Sequence, residues 1–419
     1  MKYRLLSVLI IGILLLSITN AYTLTEIKTI ASSPEPGDAL LIWVGGGFWS
    51  PPYVDENNVT RQECTWPGLM VTRDDGTSIW IEPNFWNIVS GSGENYLRFI
   101  NSSDKVAFYT KLENVTTQWG GIAWATPEVV FVGRAPPQFA QLPSAGGYEW
   151  FSLPMSVSEF LQNYDELYVK ASYEVVKANG TLVRWGFILW FENPNGQALA
   201  EVYISFSDDF GGWVGDKTVL GTIAVPMIVD GELFSGEFVV MRALSGGGWA
   251  GMEFMLSNAN LVNNTVIVDI KPFIEIVFNQ LVNYFGVPAD QVIWGSLNLG
   301  SYSGSEGTGF EFGWIIHDVR ILSPEESPKI ITVTVTQTQT TTKTVTDFMY
   351  VTVTSTTTQK ETLTETSTTT LTTTKIETST TTSPTTVTEQ VTDWTLTGVA
   401  GILLLIIGFG VGWMLKKPK

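Results

Sequence analysis

The sequence predicts an all-β fold: a two-sheet antiparallel β-sandwich with one packed α-helix, followed by a disordered stalk and one transmembrane helix. Three observations carry this. Short β-branched and aromatic runs recur between Gly, Pro, Asn and Asp, a single segment has helical periodicity, and both ends of the chain lack globular composition.

At the N-terminus, Lys2 and Arg4 precede an apolar run from Leu5 to Ile18 and the small residue Ala21, the order of a secretion signal over 1–21. Residues 22–330 then form the extracellular domain. Its strand runs are YLRFI, KVAFYTK, EVVFVGR, ELYVKASYEVV, TLVRWGFILWF, AEVYISF, EFVVMRA and MEFML. In Lys271–Gly286 the apolar residues fall at 273, 274, 277, 278, 281, 282 and 285, a helical face with Pro272 suited to the first turn and Gly286 to the stop. Between 331 and 393 roughly half the residues are Thr, too few large apolar side chains to offset chain entropy, which predicts an O-glycosylated stalk. Residues 394–415 hold an uncharged stretch long enough to span a bilayer core of ~30 Å. The lysines of the tail 416–419 place that end in the cytoplasm and the domain outside, making a single-pass cell-surface protein.

Composition removes several functions. The net charge of −18 speaks against nucleic acid as a partner. One Cys and one His leave no zinc site of the usual His-pair or Cys-cluster kind, so neither metal nor cofactor is expected. Cys64 reads as a lone thiol and His317 as an ordinary strand histidine. Five Asn-x-Ser/Thr sequons, at Asn58, Asn101, Asn114, Asn179 and Asn263, predict N-glycosylation. Fourteen of the 16 Trp lie in 22–330, more than a core of this size needs, and flat rings with a polar edge suit the C–H faces of sugars.

Four ordered segments resemble the family-12 glycoside hydrolases, secreted endo-β-1,4-glucanases with a curved jelly-roll fold, over about residues 75–322. Glu82-Pro83-Asn84-Phe85-Trp86-Asn87 is similar to that family's Asn-x-Trp strand at the cleft, and Ala125-Thr126-Pro127-Glu128-Val129 to its Tyr-Pro-Glu-Ile segment. Trp185 to Phe191 resembles the nucleophile strand, and Leu299-Gly300-Ser301-Tyr302 occupies the place of the Gly-Thr-Glu acid/base motif. The resemblance puts Gly186 at the nucleophile position and Tyr302 at the acid/base position, so neither carboxyl group that retaining hydrolysis needs is present there. Glu128, Glu306 and Glu311 are substitute candidates.

Without a side chain, Gly186 leaves room for a sugar ring or marks a bulge. Trp86 and Trp190 would stack on that ring, while Asn84, Glu128, Arg184 and Tyr302 would bond its hydroxyls. The leading expectation is therefore a surface-anchored protein that recognises β-glucan or a related polysaccharide, with hydrolysis lost or weak. An active membrane-tethered endo-β-1,4-glucanase and a structural or adhesive envelope protein are the alternatives.

Overall fold

The structure is a computed structural model that describes residues 21–43, 50–64, 68–118, 123–134, 143–209, 217–244, 248–305, 309–328, 330–343, 349–359, 367–371 and 385–392. It divides into two units, Met1–Glu325 and Glu326–Lys419. The proposed leader up to residue 20 and the apolar stretch 394–415 lie outside the described residues. Among the described residues no helix is long and apolar enough to cross a membrane.

The principal strands of the first unit are β1 (Ala39–Ile42), β2 (Ser78–Glu82), β3 (Ile88–Ile100), β4 (Lys105–Thr117), β5 (Glu128–Gly133), β6 (Tyr168–Lys177), β7 (Val183–Glu192), β8 (Ala198–Asp208), β9 (Lys217–Val229), β10 (Glu232–Leu244), β11 (Ala250–Leu256), β12 (Asn263–Asp269), β13 (Ile293–Ser305) and β14 (Phe310–Ile321). They pair in two layers. One runs β2-β5-β13-β7-β8-β11-β10-β9, antiparallel except between β8 and β11. The other runs β12-β6-β14-β4-β3-β1, antiparallel throughout. The far end of β9, Met227–Val229, pairs with β12 and joins the layers.

Strand alternation builds the core between them. On β7, Trp185, Phe187, Leu189 and Phe191 all point inward and are buried. Trp185 meets Tyr173 of β6 at 4.9 Å and Trp314 of β14 at 5.7 Å between ring centroids, so one tryptophan ties the layers together. The opposite side of β7 carries Arg184, Gly186, Ile188 and Trp190, also buried, and this second side belongs to the site.

Among the described residues three α-helices accompany the sandwich where one was expected: α1 (Leu24–Ser32), α2 (Val157–Asn163) and α3 (Lys271–Asn283). The expected helix is α3. It buries Phe273, Ile274, Val277 and Leu281, with Phe273 5.0 Å from both Phe238 and Phe254, and the chain turns away at Gly286 with φ 71°. Helix α1 has a capping box between Thr23 and Glu26 and buries Ile27 and Ala31 on the second layer. At seven residues, α2 is too short to show a period.

The second unit holds the residues of the expected stalk. Ile330–Lys343, Met349–Gln359, Ser367–Leu371 and Thr385–Thr392 form an antiparallel four-stranded sheet. Alternating Thr and Val are β-branched, and their stiff χ1 favours the extended chain. All five sequon asparagines are exposed.

Candidate functional site

The residues singled out from the sequence converge on the outer face of the first layer because the register aligns them. Glu82, Glu128, Gly300 and Gly186 stand in one row across β2, β5, β13 and β7. The next row holds Tyr302, Arg184 and Asp208, and a third holds Asn298, Ile188, Tyr203 and Glu253.

Glu128 is the best-held group in the site. It is 1% exposed; Nδ2 of Asn84 donates to its Oε1 at 2.6 Å and Nδ2 of Asn298 to its Oε2 at 2.7 Å. Asn84 sits at φ 43°, a left-handed conformation that Asn tolerates, and its backbone carbonyl accepts from the amide and hydroxyl of Thr126. The Oδ1 of Asn84 accepts from Nε1 of Trp86. Asn84 therefore spends its amide on orienting Glu128 and Trp86, not on the sugar hydroxyl expected of it.

Beside Glu128 lies Glu82, fully buried, whose two carboxyl oxygens meet no donor among the described residues. Burial and then the charge of Glu128 push Glu82 well above the usual carboxylate range. Glu128 itself is raised to about 7 by burial and by Glu201, against the pull of Asn298 and Asn84. Two adjacent carboxyls without a cation between them cannot both ionise, so this pair carries at least one proton at neutral pH.

Arg184 is 2% exposed and does not reach outward as expected. Its Nε lies 2.9 Å from Oε1 of Glu253 and 3.4 Å from Oδ1 of Asp208, and its guanidinium sits 5.8 and 5.7 Å from the ring centroids of Tyr203 and Tyr302. Burial raises Glu253 to about 7 while Arg184 pulls it down. Trp190 is likewise withdrawn, 5% exposed, with the edge of Trp249 5.6 Å away.

What remains open to solvent on this face is aromatic. Trp86 pairs across the strands with Trp124, Trp124 lies 4.5 Å from Tyr302, and Tyr302 lies 5.4 Å from the buried Tyr203. Trp86, Trp124, Tyr302 and Trp249 keep exposed surface, as does Glu201, which accepts from the hydroxyl of Tyr203 at 2.6 Å and from Nε1 of Trp249 at 3.3 Å. Burial pushes the Tyr302 hydroxyl up, so it stays neutral and is a poor proton donor to a leaving oxygen.

Gly186 corrects the expectation of room for a ring. A Cβ there would lie 1.9 Å from the carbonyl oxygen of Ile204, at the β-bulge between β7 and β8. The backbone of β8 fills the space, and neither a carboxylate nor a ligand fits.

The substitute carboxylates separate. Glu311 lies on β14 in the other layer, where the hydroxyl of Tyr109, itself packed in the cluster under α1, donates to it at 2.8 Å. Glu306 lies outside the described residues. Among the described residues no group of three or more His, Cys, Asp or Glu is arranged to hold a metal ion.

Sequence reasoning missed Glu82, Trp124, Asn298, Glu201, Tyr203 and Glu253. The signal that could have found them is alternation, which puts Glu201 and Tyr203 on one face of AEVYISF, and adjacency, since Trp124 directly precedes the Ala125–Val129 segment. The surplus of tryptophan is also smaller than it looked. Trp43, Trp80, Trp185, Trp190, Trp294 and Trp314 are buried.

No family model matches the sequence, and no curated protein matches it. Solved structures to which the chain is similar include a family 12 xyloglucanase from Bacillus licheniformis in complex with ligand, at 18% identity over 61% of this chain and 97% of that one, with a TM-score of 0.42. Endoglucanase 3 of Trichoderma harzianum, from family GH12, is 15% identical over 60% of this chain and 94% of that one, TM-score 0.39. An endoglucanase from Rhodothermus marinus is 14% identical over 61% and 97%, TM-score 0.39. The resemblance is thus to family 12 glycoside hydrolases, and at these identities it says nothing of what this chain binds or does.

Proposed function

We propose that the protein is a cell-surface receptor for β-glucan or a related polysaccharide, anchored through residues 394–415 and binding without retaining hydrolysis. One observation carries the reading: the partly exposed groups of the site face are the rings of Trp86, Trp124, Tyr302 and Trp249 with Glu201 at their edge, while Glu82 and Glu128 beneath them are buried and already bonded or protonated. Flat rings in a row suit the C–H faces of successive pyranoses, and Glu201 at the edge supplies a hydroxyl acceptor. Retaining hydrolysis needs two carboxyl groups ~5–5.5 Å apart within reach of the glycosidic oxygen. The Gly186 position is closed by backbone and Tyr302 is no acid, so that pair is missing where the resemblance would put it.

Isothermal titration of the full chain, in a detergent without a sugar headgroup, against cello- and xylo-oligosaccharides tests this. Binding at micromolar to low millimolar ligand is expected, and none at millimolar ligand refutes it.

A second reading, an active endo-β-1,4-glucanase, draws on Glu82 and Glu128 standing side by side with at least one of them protonated. It predicts reducing-sugar release from β-glucan that Glu128→Gln abolishes. A folded protein that releases none removes it.

A further inference from the structure

On the outer face of β6, opposite the core-facing Tyr173, the start of the described domain closes on the chain's single histidine. The backbone N–H of Tyr22 donates to Oε2 of Glu174 at 2.8 Å, and Oε1 of the same carboxylate lies 3.2 Å from Nε2 of His317. The Tyr22 and His317 rings stack, 6.2 Å between centroids and 24° between planes. The register slip between β6 and β14 leaves His317 as the extra residue that meets this carboxylate.

Two features fix Tyr22 at this place from its C-terminal side. The Thr23–Glu26 capping box sets the chain direction, and Ile27 and Ala31 of α1 are buried against Ala107, Tyr109 and Ile315. On its N-terminal side Ala21 is exposed. Glu174 is only 8% exposed, and the bonds it accepts come from a peptide N–H and an imidazole that burial holds towards its neutral form. A carboxylate so placed gains most from a cation, because a charge-assisted bond is roughly twice as strong as a neutral one. The adjoining cavity of about 580 Å³ adds Asp230 to its wall and offers polar side chains and space for further bonds. Lys105 acts on His317 through its charge.

We propose that Glu174 is the receptor for an α-ammonium group on Tyr22, created when a secretory peptidase hydrolyses the Ala21–Tyr22 bond. Water supplies the hydroxyl that leaves on Ala21 as carboxylate, and the new amine on Tyr22 takes up a proton. The single peptide N–H then becomes an ammonium with three donors, one already aimed at Oε2, and processing locks α1 onto the second layer. This goes beyond the proposed sugar binding and does not depend on it.

The test uses the full chain made in a secreting host and recovered from its membranes. Intact mass and N-terminal sequencing should give Tyr22 with a free amine. A first residue of Met1, or a start anywhere else, overturns the proposal. Reductive dimethylation at pH 7 should then modify the Tyr22 amine about tenfold more slowly in the native protein than in the same protein unfolded in guanidinium, since an adjacent carboxylate raises an amine's pKa by a unit or more. In Glu174→Gln, checked as folded by its near-ultraviolet circular dichroism, the protection should be lost. If it does not fold, Glu174→Asp serves and should weaken the protection. Equal rates for native and unfolded wild type, or full protection in either variant, overturn the proposal.

Discussion

The two ends of the site face bury carboxyl groups in opposite ways. At the β8–β11 end, Glu253 and Asp208 share Arg184, with Lys217 felt nearby, so negative and positive charges balance. At the β2–β5 end, Glu82 and Glu128 have amide donors on one of them and no cation between them. At the first end Arg184 offsets the buried carboxyls, whereas the second holds a proton and has no such cation among the described residues. That difference divides the labour of the face: the ion-paired end is structural, and the protonated end holds Trp86 in place through Asn84 beside the exposed rings.

The largest effect should come from breaking the ion-paired end. Arg184→Met leaves Glu253 and Asp208 buried without their cation and should cost about 3–5 kcal/mol in urea unfolding, with part recovered in the double variant Arg184→Met/Glu253→Gln. Next, Gly186→Ala pushes a Cβ against the Ile204 carbonyl and should cost about 1–3 kcal/mol, and the longer side chain of Gly186→Glu should cost more.

The protonated end predicts a pH signature. The folded value of Glu128, about 7, lies above its ordinary 4.5, so the folded chain holds the proton more tightly than the unfolded chain. That contribution is fully present below about pH 4.5 and is lost as pH rises through about 7. Glu128→Gln should therefore stabilise the protein by about 2 kcal/mol at pH 8 and by little at pH 4, measured by urea unfolding at both. An equal effect at both pH values would show that the pair is already ionised. Smallest in stability but decisive for function, Trp124→Ala and Tyr302→Ala should each weaken oligosaccharide binding about tenfold, on the scale of one lost ring contact, with unfolding midpoints little changed. Glu311→Gln, in the other layer, should leave binding unaltered.

Much of this was legible in the sequence. The strand runs and α3 were visible because alternation and the 3.6-residue period are local signals. Asn84, Trp86, Glu128 and Tyr302 were found as members of ordered segments, and the structure brings them together on one face. Their partners were not, because Glu82 beside Glu128, or Asn298 bonded to Glu128, is a matter of register between strands distant in the chain. For the same reason Arg184 and Trp190 look available in a single strand and prove to be occupied once β8, β11 and β13 are laid beside it. Gly186 shows the limit most clearly. A missing side chain suggested space, and only the bulge against β8 reveals that none exists.

The most direct test is a crystal structure of the protein soaked with cellohexaose. An intact chain lying over Trp124 and Tyr302, with Glu82 and Glu128 buried beneath it, is the predicted result. Sugar bound elsewhere, or density for cleaved products next to Glu128, would contradict it.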